Sequence, residues 1–265
     1  MKLPRSAALV PHLEILPEAG STNDEMVAKA AGLPDFSVIV TGSQTAGRGR
    51  LGRVWVAPPG ASLAVTVLLR PVLPAGQPLE LAHFGWLPLI AGVAMTRAVQ
   101  SLVEPQRVGL KWPNDVQVDG LKISGLLAEL LPGGDAVVMG AGLNLSLTRG
   151  QLPTPVSTSL ALVGATATGD ELADAALSAY LVALRELYTE FVRLGADPVA
   201  SGLSPQLDEL CTTIGRQVKV ELPGASDLLG SAVGIDGSGR LLVRGSLDGR
   251  VTAVAAGDVT HLRYE

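Results

Sequence analysis

Thr41-Gly42-Ser43-Gln44-Thr45-Ala46-Gly47-Arg48-Gly49-Arg50-Leu51-Gly52-Arg53-Val54-Trp55 is the stretch around which the chain is organised. It gathers Arg48, Arg50 and Arg53 on a backbone that Gly42, Gly47, Gly49 and Gly52 leave free to turn tightly, to adopt positive φ and to let a ligand approach. A chain grips an anion in this way. Gly47 to Gly52 spells G-x-G-x-x-G, but the dinucleotide motif needs a helix opening at its third glycine. The next residues, Val54-Trp55-Val56-Ala57-Pro58-Pro59-Gly60, are extended or turn-like instead. Gly42 and Gly47 have P-loop spacing, yet Arg48-Gly49 stands where Lys and then Ser or Thr are required. An unstructured Arg-Gly tail is disfavoured because apolar, strand-like runs at 36–40 and 62–69 flank the segment. It reads as a basic loop between strands.

The 265 residues suffice for one large domain and a small one, and a composition 47% hydrophobic and 17% charged is globular. A net charge of -5 argues against a general nucleic-acid binder, so the arginines look targeted. One cysteine, Cys211, excludes an internal disulfide and any multi-cysteine metal site. The first eleven residues lack a signal-peptide core, and the longest uncharged apolar run, 84–96, is too short to span a bilayer. A cytoplasmic protein without membrane partners is expected.

Along the chain, 12–16 alternates like a strand, and Gly20-Ser21-Thr22-Asn23-Asp24-Glu25 opens a helix to about residue 31. Ser21, Thr22 and Asn23 are capping types, and the same helix end can offer hydroxyls and free N–H groups to a ligand. Strands are expected at 36–41 and 62–70, and a buried helix over 79–103, interrupted or kinked near Pro88. Two strand pieces flank Trp112-Pro113-Asn114-Asp115, and Asp119-Gly120 turns the chain into a partner strand from Lys122. A strand within 136–147 is interrupted by Gly140-Ala141-Gly142-Leu143-Asn144. Helical periodicity runs from 170 to about 194, with a short helix at 203–210. After Gly215 come short strands at 217–222, 228–235, 240–244, 250–255 and 259–263. Turns at Pro223-Gly224, Asp236-Gly237-Ser238-Gly239 and Asp248-Gly249 separate them, which suggests a small antiparallel barrel. The domains are expected at 1–212 and 213–265.

Five polar runs occur in order: Gly20-Ser21-Thr22-Asn23; Gln44 to Trp55; Lys111-Trp112-Pro113-Asn114-Asp115; Lys122-Ile123-Ser124-Gly125-Leu126-Leu127-Ala128-Glu129; and Gly140 to Asn144. With the small barrel after them, this order resembles the biotin protein ligase family. The resemblance implies an α/β (α+β) catalytic domain with a mixed sheet and flanking helices, followed by an SH3-like barrel. It implies an ATP-dependent biotin–[biotin carboxyl carrier protein] ligase: biotin and ATP, with Mg2+, give biotinyl-5'-AMP, and the biotinyl group then passes to a carrier lysine. Positioning and charge neutralisation dominate chemistry at phosphorus, so Arg and Lys suit it.

By the same resemblance, Ser21, Thr22 and Gln44, with the backbone around Arg48, meet the biotin ureido ring, and Gly125 and Leu126 line that site. Arg48 and Arg50 clamp phosphate oxygens and the acyl carbonyl under a closing loop. Lys122 contacts the biotin carboxylate and the α-phosphate and is the first choice for transition-state stabilisation. Lys111 adds charge, Asn114 and Asn144 touch the adenylate, and Trp55 lies near adenine. No metal ligand is assigned; Glu129 is either structural or a help to the metal. Taken singly, Lys111 and Lys122 would be solvated lysines, Asn114 and Asp115 turn formers, and Trp112 an anchor outside the site. Ser124 departs from the family's small residue and is expected to bring a hydroxyl near the biotin pocket. About a dozen residues precede the first strand, too few for a winged helix, so no DNA partner is expected. The carrier domain is the expected partner, and the chain a monomer or weak homodimer. The rivals are a lipoate or octanoate ligase or transferase, and a non-catalytic biotin sensor or adaptor.

Overall fold

A computed structural model describes residues 1–222, 226–255 and 257–262. In chain order come α1 (Pro4–Ala7), β1 (Leu13–Leu16), α2 (Thr22–Lys29), β2 (Val38–Thr41), the two-residue strands β3 (Gly47–Arg48) and β4 (Val54–Trp55), β5 (Ser62–Leu69), α3 (Trp86–Gln100), β6 (Val108–Lys111), β7 (Asp115–Val118), β8 (Leu121–Leu130), β9 (Val137–Asn144), α4 (Gly169–Arg193) and α5 (Leu203–Leu210). The C-terminal strands are β10 (Gln217–Glu221), β11 (Leu228–Ile235), β12 (Leu241–Gly245), β13 (Val251–Val254) and β14 (Asp258–His261). The expected turn at Pro223-Gly224 and the expected strand end at Arg263 lie outside the described residues.

Seven strands form a mixed sheet in the order β1-β2-β5-β9-β8-β7-β6, parallel only between β1 and β2. The last five form an antiparallel sheet in the order β13-β12-β11-β10-β14. The α/β class with a small C-terminal β unit is therefore the observed architecture.

Because successive strand residues point to opposite faces, the central strands of the mixed sheet divide their side chains cleanly. Val38 and Val40 of β2, Val65 and Val67 of β5, and Val137, Met139, Ala141 and Leu143 of β9 join the main core with α3 and α4. Ile39, Leu68 and Val138 point the other way, into a smaller cluster with Met26 and Ala30 under α2. On that second face the strands also carry Ala64, Gly140, Gly142 and Asn144, and there the apolar packing stops.

The helices obey their patterns. In α4 the buried stripe Leu177, Tyr180, Leu181, Leu184, Leu187, Tyr188 and Phe191 faces α3, as its spacing predicts. α3 is buried almost all round and forms the centre of the core. It is not kinked at Pro88: the helix starts at Trp86, which puts Pro88 in the first turn, where no intrahelical N–H is required. Nor is β9 interrupted at Gly140-Ala141-Gly142-Leu143-Asn144; all of it pairs with β5, and all but Asn144 with β8. Those glycines mark close approach by other residues rather than a chain break. Among the described residues no helix is long and apolar enough to cross a membrane.

The C-terminal sheet packs directly on the first. Trp86 Nε1 donates to the Gly237 carbonyl at 2.8 Å and Trp112 Nε1 to that of Gly239 at 3.3 Å, so both indoles anchor one unit in the other. Trp112 is thus an anchor, the role expected of it when taken singly. Thr213, fully buried between the sheets, accepts from the Trp112 N–H at 3.0 Å and lies 3.1 Å from His261 Nε2. Burial, reinforced by the Lys111 and Arg216 charges, pushes the His261 imidazole from 6.5 down to about 4. An unfolded chain holds this proton where the folded chain has released it, so its contribution to stability is whole above pH 6.5 and is lost as pH falls to about 4. Urea unfolding of His261→Asn across that window should show a shallower loss of stability on acidification than the parent; equal slopes would refute the coupling.

Candidate active site

A cavity of 370 Å³ opens on the α2 face of the mixed sheet. Its floor is made of residues with almost no side chain: Ala64 of β5, Gly125 of β8, and Gly140 and Gly142 of β9. A Cβ at Gly140 would run into the Asn23 side chain, and one at Gly142 into the Trp55 indole. The floor is bare because other groups occupy the space above it. The residues given a binding or catalytic role in the sequence line this one cavity: Ser21, Thr22, Gln44, Arg48, Arg50, Trp55, Lys111, Asn114, Lys122, Gly125, Leu126 and Asn144.

The N-terminus of α2 forms one wall. Ser21 sits at the N-cap, but its side chain caps nothing, so its hydroxyl is free for another partner. The Thr22 N–H donates to Gln44 Oε1 at 2.9 Å. Backbone bonds from Thr45 N–H to the Ala19 carbonyl and from Ala46 N–H to that of Gly20 fix the start of the basic segment against this helix end.

The basic segment is a short ribbon in which β3 pairs with β4, Gly47 opposite Trp55 and Arg48 opposite Val54. Of its four glycines only Gly52 has positive φ, 73°, beside Leu51 at 57°. Gly47 is required for room instead, since a Cβ there would overlap the Gln44 amide and the Trp55 carbonyl. Each arginine has found an acceptor. Arg48 forks onto Asp24 at 2.5 and 2.7 Å and reaches Glu129 at 3.2 Å, and these carboxylates, Asp24 first, raise its pKa further. Arg50 donates to Asn114 Oδ1 at 3.1 Å and to the Gly257 carbonyl at 3.2 Å; burial lowers its pKa, against the pull of Asp115 and Asp258. Arg53 pairs with Asp258 of β14. The C-terminal sheet therefore holds the ribbon from one side and lines the cavity with Asp258, Val259 and Thr260.

Lys122 Nζ lies 2.6 Å from Asp115 Oδ1 and 5.9 Å from the centre of the Trp55 ring. Asn114 Nδ2 donates to the Leu126 carbonyl at 2.8 Å, and Asn144 Nδ2 to that of Thr158 at 2.8 Å, so both amides are held by strand or loop backbone. Such a site can neutralise an anion at several points over a floor flat enough for a planar ring.

Some residues differ from expectation. Ser124 is fully buried, with no partner for its hydroxyl among the described residues, and does not line the cavity, because β8 turns it away from that face. Glu129 accepts from Asn23 at 2.6 Å and from Arg48. Asp24 and Asp258 join the site without a signal in the sequence that assigns them to it, and Arg53, one of the three arginines of the basic segment, joins it with no role assigned from the sequence. The first reads as an ordinary acid in the first turn of a helix, and Asp258 lies 205 positions from its partner. Among the described residues no group of three or more His, Cys, Asp or Glu is placed to hold a metal.

The model of the Biotin/lipoate A/B protein ligase family matches residues 20–144, and that of the Biotin protein ligase C terminal domain matches residues 213–262. The chain is 38% identical over 256 residues to the biotin–[acetyl-CoA-carboxylase] ligase of Mycobacterium tuberculosis, covering 95% of this chain and 89% of that one. A biotin protein ligase from Aquifex aeolicus, solved in complex with biotin and ATP, has a TM-score of 0.70 at 25% identity, over 96% of this chain and 100% of that chain. One from Leishmania major in complex with biotinyl-5-AMP has a TM-score of 0.63 at 27% identity, over 93% and 99%. The chain belongs to the biotin protein ligase family.

The bare floor makes a direct prediction. Gly142→Ala should displace Trp55 from the sheet and shift the tryptophan emission while far-ultraviolet circular dichroism stays native. An unaltered emission spectrum would show that the indole does not rest there.

Proposed function

We propose that the cavity catalyses ATP-dependent activation of biotin to biotinyl-5'-adenylate and transfer of the biotinyl group to a lysine of a biotin carboxyl carrier protein. The observation that carries this reading is the convergence of three cations, Arg48, Arg50 and Lys122, with the hydroxyl and amide wall of Ser21, Thr22 and Gln44 on one glycine-floored cavity. Cations suit phosphate and carboxylate; the neutral wall suits a urea; the floor leaves room for a fused ring. The relatives named above are described with biotin, ATP or biotinyl-AMP.

In the first step a biotin carboxylate oxygen attacks the α-phosphorus of ATP and pyrophosphate leaves. Substrate charge is then spread over non-bridging oxygens, where fixed cations are worth most. Lys122 bridges the carboxylate and the α-phosphate in this scheme, with Asp115 holding its Nζ in place. Arg48 and Arg50 exchange their present acceptors for the acyl phosphate, and Lys111 adds charge. Asn114, Asn144 and Trp55 form the adenylate side, and Gly125 and Leu126 the biotin side. In the second step the carrier's lysine amine attacks the acyl carbonyl; an amide forms, AMP leaves, and the amine proton passes to solvent or a nearby carboxylate. Mg2+ enters as part of the ATP substrate, bound to its phosphates. The carboxylates around the cavity are engaged by Arg48, Arg53 and Lys122, so the chain offers no ready-made cage for a resident ion among the described residues.

The test is to mix the protein with biotin, magnesium-ATP and a carrier domain and to weigh the carrier. A gain of one biotinyl group is expected; a gain with lipoate but not biotin, or no pyrophosphate at all, would move the reading to a lipoate-type ligase or a non-catalytic binder. Lys122→Ala should lower pyrophosphate release about 100-fold, the scale of losing a main transition-state contact. Arg50→Ala should release biotinyl-adenylate into solution faster than the parent. Parental turnover in the first variant, or parental retention in the second, would remove that residue from its role.

A further inference from the structure

Lys122 stands where β8 has lost one neighbour. The ladder to β9 begins only with Ser124 opposite Leu143, so Lys122 and Ile123 lie outside that pairing. On the β7 side the register shifts, with Val116 facing Ser124 and Gln117 facing Lys122. Backbone groups left over at such a place need partners from elsewhere. They come from the segment 153–158: the Lys122 N–H donates to the Val156 carbonyl at 2.8 Å, and the Lys122 carbonyl accepts from the Thr158 N–H at 2.8 Å. Ser157 thus bridges to Lys122 in the parallel sense and stands in for β9. Pro153, Thr154, Val156 and Ser157 of the same segment line the cavity.

The segment is itself keyed to the end of β9. Asn144 Nδ2 donates to the Thr158 carbonyl at 2.8 Å, and the Leu160 N–H donates to the Asn144 carbonyl at 3.0 Å. Just before the bridge the Thr154 and Ser157 hydroxyls meet at 2.6 Å, closing a turn in which the Ser157 N–H donates to the Thr154 carbonyl at 3.2 Å. Pro153 and Pro155 restrict φ on either side of Thr154. Asn144, Ser157 and Thr158 are all buried. The side chain of Lys122 has little play of its own: Cε and Nζ lie 3.0 Å from where a Cβ on Gly125 would stand, and Nζ ends 2.6 Å from Asp115 Oδ1. Laid along the floor and held at its tip, the lysine reaches as far into the cavity as its backbone lets it.

We infer that the segment 153–158 is a strut for Lys122 and that Asn144 is a positioning residue: through the Thr158 carbonyl it fixes the segment to β9, and through the segment it fixes the root of the lysine. The inference rests on the role of Lys122 in activating the carboxylate. A group that acts by position loses rate steeply with displacement, and 1 Å of misplacement costs about 100-fold. Asn144 therefore has a use in the chemical step that is separate from any contact with the adenylate. Its amide can serve both, since one N–H goes to Thr158 while the other N–H and the oxygen stay available to a ligand.

The experiment compares Asn144→Ala, Lys122→Ala and the double variant. Single-turnover pyrophosphate release at saturating biotin and magnesium-ATP gives the rate, calorimetry gives biotin affinity, and amide hydrogen exchange followed by NMR reports the Lys122 N–H. Asn144→Ala should slow release about tenfold, the effect of a displacement below 1 Å. Biotin affinity should stay within about twofold of the parent, the pattern of an interaction used in the transition state. Exchange at Lys122 should quicken about fivefold, the scale of one hydrogen bond. Exchange at Leu126, whose N–H is bonded to the Asn114 carbonyl, should stay parental. In the Lys122→Ala background Asn144→Ala should slow release no further. If Asn144→Ala fails to fold, Ser157→Ala, which breaks the hydroxyl contact inside the segment, carries the same comparison. A parental rate, parental exchange at Lys122, or an equal loss of rate in the Lys122→Ala background would each overturn the inference, the last by placing Asn144 directly on the substrate. Should Lys122→Ala itself turn over at the parental rate, the activating role of Lys122 would fail instead, and exchange at Lys122 would still show whether Asn144 holds the strut.

Discussion

The structure depends on the two-residue period of β9. Val137, Met139, Ala141 and Leu143 send their side chains to the core shared with α3 and α4, while Val138, Gly140, Gly142 and Asn144 face the opposite way. One face has to be large and apolar to hold the sheet to its helices; the other has to be nearly empty at two positions so that Asn23 and Trp55 can lie on it. A slip of one residue would exchange these faces, putting glycines into the core and Met139, Ala141 or Leu143 onto the cavity floor. Eight paired residues on β5 and seven on β8 prevent it.

On that floor the site is built from charges in pairs. Arg48 rests on Asp24 and Glu129, Arg53 on Asp258, and Lys122 on Asp115. Most of these pairs are half-exposed and contribute little to stability, so their arrangement is better understood as placement of cations than as a source of cohesion. An arginine held by a carboxylate already points in a defined direction, and its acceptor can be replaced by a phosphate oxygen at modest cost.

Much of this is legible in the residues. The helix start after Ser21, the amphipathic stripe of α4, the strand-loop-strand setting of the basic segment and the small β unit after Gly215 all come from local rules. The five motifs are legible as a set because each marks a strand end or helix start that delivers a polar group to one place. Local rules mislead where a residue has two uses. Pro88 has the look of a kink, yet in the first turn it costs nothing. Gly140 and Gly142 have the look of a break, yet they clear space for side chains more than 80 positions away in sequence. Ser124 belongs to the pocket only if β8 alternates regularly from Lys122. Its pairing to β7 is irregular between Val116 and Gln117, so Lys122 and Gly125 share the cavity side and Ser124 does not. The partners of Arg48 and Arg53 depend on tertiary placement that no local pattern encodes.

The reach of β14 back to the basic ribbon has a consequence for how the protein is made. Ser21 and Thr260 line the same cavity, so its walls come from segments 239 positions apart in sequence. Without the C-terminal sheet, Arg50 and Arg53 lack the Gly257 carbonyl and the Asp258 carboxylate. Contacts this distant in sequence form late. The finished pocket therefore waits on the docking of the C-terminal sheet, and a chain in which that sheet is unfolded has the glycine floor without its far wall.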